Sequence, residues 1–122
     1  MRFMPLFLIA VTTPALANPG TQTLKAIPAK FQGEWARTLA DCASRGGENA
    51  AGFKVTARTI VYYEDSEEVL QVRLLDANSL AYTSKFISTD GEEPSQGKLR
   101  LSPDGKRMLG GDPSEDLLRC AG

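Results

Sequence analysis

The chain has 122 residues, with 14 basic and 15 acidic side chains, two cysteines and no histidine. That length suits one small domain. Acids and bases are interspersed without a cationic block, which argues against nucleic acid as a partner, because phosphate binding needs a concentrated basic footprint. Without histidine, Ser-His-Asp and Cys-His nucleophile activation are excluded, as is the commonest zinc ligand.

The chain opens on "MRFMPLFLIAVTTPALA". A positive start at Arg2, an apolar run from Phe3 to Val11, and small residues Ala15 and Ala17 form the layout of a secretory signal peptide over residues 1–17. The run is about half the ~20 residues that a membrane-spanning helix needs. A mature protein beginning at Asn18 is expected in the periplasm or outside the cell, with no membrane association after cleavage.

"NPGTQTLKAIPAK" is polar and aperiodic, and holds Pro19, Gly20 and Pro28. It reads as a flexible leader over residues 18–28 that becomes ordered near Ile27, ahead of a single domain over 29–122. In "FQGEWART", extended geometry puts Phe31, Gly33 and Trp35 on one face, with Gln32, Glu34 and Ala36 opposite. Glycine on the aromatic face lets the strand bend and a neighbour approach.

Cys42 and Cys120 allow one pairing, and an oxidising compartment makes them a disulfide. The link would join the start of the domain to its end.

After the glycine-rich loop "DCASRGGENAAG", a period of two returns repeatedly. Phe53 and Val55 share a face, as do Ile60 and Tyr62, with Val61 and Tyr63 opposite. "EEVLQVRLLD" places Leu70, Val72 and Leu74 inward, with Gln71 and Arg73 outward. "SLAYTSKF" places Leu80, Tyr82 and Phe86 inward, with Thr83 and Lys85 outward. "GKLRLS" sets Leu99 and Leu101 against Lys98 and Arg100. "DANS" and "SPDGK" carry tight-turn chemistry, and "STDGEEPSQG" reads as a longer exposed connection. These strands predict an all-β fold, a small antiparallel up-and-down barrel or strongly coiled meander sheet. Closure disposes of the exposed edges. A barrel of short strands is expected to be filled by its own side chains.

At Gly33 and Trp35 the chain resembles the lipocalin-like signature, a G-x-W on the first strand of an up-and-down barrel whose Trp closes one end. The wider pattern, "IPAKFQGEWA" followed by Cys42 and a terminal cysteine, is similar to small secreted proteobacterial proteins of uncharacterised function. More distantly, the chain is similar to periplasmic metalloprotease inhibitors of the Inh/Omp19 type. Those are compact barrels with a G-x-W near the start, and they insert an N-terminal segment into the protease cleft. Their disulfide spans a short stretch, whereas Cys42–Cys120 would span the domain.

Residue chemistry points away from catalysis. Ser84 and Lys85 are neighbours on a strand, so they face opposite ways and form no dyad. Glu67 with Glu68 also face oppositely, Glu92 with Glu93 lie in the exposed connection, and all four read as solvated charge. Asp90, Glu92 and Glu93, and likewise Asp112, Glu115 and Asp116, lack the spacing of a calcium loop. No catalytic residue, cofactor or metal ligand is expected. Trp35, Tyr62 and Tyr82, with Tyr63, are the aromatics that would line a pocket if one exists.

The function expected is that of a non-enzymatic exported binding protein. It would inhibit a secreted hydrolase, or bind another secreted or periplasmic protein, through the leader (Asn18 to Ile27) or the "STDGEEP" connection. The alternative is a lipocalin-like carrier of a small apolar ligand, held near Trp35, Tyr62 and Tyr82.

Overall fold

The computed structural model of the chain describes residues 22–43 and 52–121. The expected signal sequence, the start of the leader and most of the glycine-rich loop lie outside the described residues. Nine strands follow in order: β1 (Gln22–Leu24), β2 (Gly33–Ala36), β3 (Phe53–Val55), β4 (Thr59–Val61), β5 (Ser66–Asp76), β6 (Ser79–Ser88), β7 (Gly91–Arg100), β8 (Arg107–Met108) and β9 (Leu117–Arg119). A short helix, α1 (Leu39–Ala43), follows β2.

The strands form one antiparallel sheet in the order β7-β6-β5-β4-β3-β2-β9-β8, curled into a half-barrel. β4 pairs with the first residues of β5, and β1 pairs with its later residues, Leu24 opposite Val72 and Gln22 opposite Leu74. The two ends of the sheet meet at a single bridge, Leu101 to Met108, flanked by hydrogen bonds from Leu109 N–H to Arg100 O and from Ser102 N–H to Arg107 O. The all-β expectation therefore holds, with closure at one end of β7 only.

Alternation fills the concave side. Phe31, Trp35, Val55, Ile60, Val72, Leu80 and Leu101 are buried in one cluster. At about 25 cal/mol per Å2 of apolar surface, such burial is the main force that rolls the sheet.

Three expectations change. The leader is not free from Gln22 onward: Gln22–Leu24 is a strand on β5, and the buried Ile27 donates its N–H to Ala57 O at 2.9 Å. Ladder groups of β5 beyond the reach of β4 hold this segment, so it needs no apolar period of its own. The "STDGEEPSQG" stretch is not a long connection but a tight turn at Thr89–Asp90 followed by β7, in register with β6 from Ser88–Gly91 to Ser79–Arg100. Its polar residues are exposed on an edge strand, where no hydrophobic alternation is required.

The third change lies in β5. Leu70 is 58 % exposed rather than inward. Val69 pairs with Ser84 and Gln71 with Thr83, so Leu70 is the extra residue of a bulge. One inserted residue reverses the faces on either side of it. Before the bulge Glu67 and Val69 point inward, and after it Val72 does.

The glycine between the two aromatics has a local cause. Phe31 does not lie on a strand with Gly33 and Trp35 as expected: it ends a 3-10 turn (Ala29–Phe31), and Gly33 starts β2 at φ +126°, a conformation that suits glycine. A Cβ there would lie 3.2 Å from Nη1 of Arg119. That guanidinium covers the Trp35 ring and donates to the carbonyls of Gln32 (2.8 Å) and Lys30 (2.6 Å). Trp35 Nε1 in turn donates to Phe31 O at 3.1 Å.

Cys42 and Cys120 are bonded, 78 positions apart, tying α1 to the residue after β9. Chain-entropy reasoning values such a closure at roughly 4–5 kcal/mol as an upper figure.

Candidate functional site

Between the Leu101–Met108 bridge and the hairpin turn, β7 has no strand on its outer side among the described residues, so the half-barrel is open there. The direction of the backbone along this edge follows from Pro94. It pairs with Lys85 yet has no N–H, so the hydrogen-bonded pairs with β6 are those of Glu93, Ser95, Gly97 and Leu99. Glu92, Pro94, Gln96 and Lys98 then turn their backbone groups outward. Arg100 continues the alternation, since its carbonyl faces β8. The free edge thus offers N–H donors at Glu92, Gln96 and Lys98, and none at Pro94.

Beneath this edge the concave face carries a buried acid. Glu67 is 4 % exposed. Ser84 donates to Oε1 at 2.5 Å, Tyr82 donates to Oε2 at 3.2 Å, and Tyr62 also donates to Oε2. No ion pair reaches this carboxylate among the described residues. Burial, and then the charge of Glu67, push the Tyr82 phenol up to about 12. Tyr62 is raised further, by burial first and then by the hydrogen bond it donates to Glu67. Ser84 is only 2 % exposed, so no substrate reaches its hydroxyl, and the cluster is not a nucleophile–base pair.

Reading Glu67 as solvated charge is therefore corrected. Glu67 and Glu68 do face oppositely, but the bulge at Leu70 decides which of them is inside. Glu68 and Glu92 are on the outer face, 3.4 and 3.6 Å from Lys85 Nζ, and the ion pairs raise the pKa of that lysine. Asp112 caps the 3-10 turn Pro113–Glu115 through Ser114 N–H, and Asp116 accepts from Gly110 N–H at 2.9 Å.

A cavity of about 190 Å3 lies on the open side, walled by Phe53, Tyr62, Tyr82, Met108 and Leu117. Lys98 and Glu115 stand at its rim. Of the three aromatics singled out in the sequence, Tyr62 and Tyr82 line it. Trp35 is buried beneath Arg119 and does not. The residues missed by sequence reasoning are Glu67, Ser84 and Arg119. A strand glutamate flanked on its face by Val69 was the available signal for the first.

No protein-family model, curated protein or solved structure matches the chain. No described helix is long and apolar enough to cross a membrane.

Proposed function

We propose that the protein is a non-enzymatic binding module of an exported compartment, and that it recognises an extended segment of a partner protein along the outer edge of β7. The observation that carries this reading is the row of outward backbone groups from Glu92 to Lys98, on a strand of ten residues that lacks a neighbour there among the described residues. Such a row is a template for an added strand. Pro94 interrupts the donors, and Glu92 and Glu93 place two carboxylates on the strand. The missing donor at Pro94 breaks the ladder that a second copy would form, while Glu92 and Glu93 at one end of the strand and Lys98 and Arg100 at the other suit a segment whose charges run in the complementary order. Inhibition of a secreted hydrolase is one use of this mode. In this reading the recognition surface is β7, not the leader, whose residues from Gln22 are engaged with β5. The signal-like start and the disulfide support export.

Carriage of a small apolar ligand is the weaker reading. Ligand pockets commonly run to ~300–1,000 Å3, whereas Trp35, Phe31, Ile60 and Leu80 fill the interior, the cavity beside them is about 190 Å3, and the hollows of about 370–390 Å3 lie open on the surface.

The test is affinity capture from periplasm or culture medium with the intact protein and with Gln96→Pro, which removes one outward donor without touching the core. The captured partner should protect the amides of Glu92, Gln96 and Lys98 from exchange and be lost in the variant. A partner retained by Gln96→Pro, or protecting another surface, contradicts the reading.

A further inference from the structure

The cavity on the open side has a chemistry of its own. Phe53 and Tyr62 meet edge to face, with ring centroids 5.8 Å apart at 72°, so they form a corner rather than a flat wall. Tyr82 adds a third ring and Met108 and Leu117 add apolar surface, while Lys98, Gly110 and Glu115 supply the polar part of the wall. The hydroxyls of two of the three rings are engaged as donors to Glu67. A phenol that donates to a carboxylate has a more electron-rich ring. The negative ring faces are what attract a cation.

The charges have the same sense. Glu67 brings a carboxylate with no cation paired to it among the described residues, joined by hydrogen bonds to the hydroxyls of Tyr62 and Tyr82. At the rim, Lys98 and Glu115 offset one another. The surroundings therefore carry one net negative charge, and that charge is desolvated. A hard divalent metal would ask for six or so oxygen ligands, and no group of three acidic, histidine or cysteine side chains that could hold one exists among the described residues. An anion would meet Glu67. An organic cation without strong hydrogen-bonding demands fits both the lining and the field, and the volume of about 190 Å3 suits a tetramethylammonium-sized group rather than a lipid or a drug-sized molecule.

We propose that this cavity is a binding site for a small alkylammonium cation, a quaternary ammonium headgroup being the best match. The proposal goes beyond the β7 edge and does not depend on it.

The experiment uses the disulfide-bonded protein and two probes, choline and its uncharged carbon isostere 3,3-dimethylbutan-1-ol, followed by NMR at the Met108 methyl and the Tyr62 and Tyr82 rings. Choline should produce saturable shifts at these positions, and the isostere should bind about tenfold more weakly or less. Glu67→Gln should reduce choline affinity by a similar factor and leave the isostere unaffected, while Lys98→Gln should tighten choline binding. Equal affinity for the two probes overturns the proposal, as does the absence of saturable choline shifts in the wild-type protein. Both of these outcomes are read without any variant, so a Glu67→Gln chain that fails to fold leaves the test intact. A folded Glu67→Gln that binds choline undiminished also overturns it.

Discussion

The guanidinium carbon of Arg119 lies 4.3 Å from the ring centroid of Trp35, and the same guanidinium binds the carbonyls of Lys30, Gln32 and Gly105. One side chain from β9 thus covers the aromatic of β2, secures the turn before it and reaches the β7–β8 hairpin. Arg119→Lys keeps the charge but not the planar fork, which a point charge cannot replace at several carbonyls. The expected loss is about 2–3 kcal/mol in chemical denaturation, from charged hydrogen bonds and ring contact together.

Gly97 faces Tyr82 across the β6–β7 pair. A Cβ at that position would lie 2.6 Å from the Tyr82 hydroxyl oxygen and 2.8 Å from Cζ. Gly97→Ala should therefore push the ring off Glu67, with a loss of about 1–3 kcal/mol as expected for overpacking. Phenol ionisation followed by absorbance separates this from a general weakening, because the Tyr82 transition should return toward 10, its ordinary value.

Alkaline pH should destabilise the fold through the same tyrosines. In the unfolded chain Tyr82 loses its proton near 10, while in the folded protein it holds the proton to about 12. Between those values the native state binds more protons than the unfolded state, so stability falls as pH rises through that window. Tyr62 is raised as well and extends the fall. Denaturation midpoints should decline from pH 10 upward, and less steeply in Tyr82→Phe. A midpoint independent of pH over that range contradicts the burial of the pair.

Reduction of Cys42–Cys120 removes a closure of 78 positions. The reduced protein should be less stable by up to roughly 4–5 kcal/mol. Melting with and without reductant measures the difference, and equal midpoints would show that the link does not constrain the unfolded chain.

Much of this fold was legible because two physical signals were clean. Alternation in "TIVYY" and "GKLRLS" placed Ile60, Tyr62, Leu99 and Leu101 correctly, since each strand has one wet and one dry face. Side-chain chemistry placed the turns: Asp76 Oδ1 accepts from Asn78 N–H, and Asp104 Oδ1 from Lys106 N–H. The errors have separate causes. A bulge leaves no mark in composition, so the single extra residue at Leu70 hid the inward position of Glu67. An edge strand needs no apolar face, so Gly91–Gly97 looked like a loop. Arg119 was invisible as a partner of Trp35 because their contact joins residues far apart in the chain.

The central claim is that β7 presents alternate backbone groups to solvent, and amide hydrogen exchange on the free protein tests it most directly. The amides of Glu92, Gln96 and Lys98 should exchange quickly, while those of Glu93, Ser95, Gly97 and Leu99 remain protected by β6. Equal protection of both sets would mean that the outer edge of β7 is already covered, and the recognition surface argued from it would not exist.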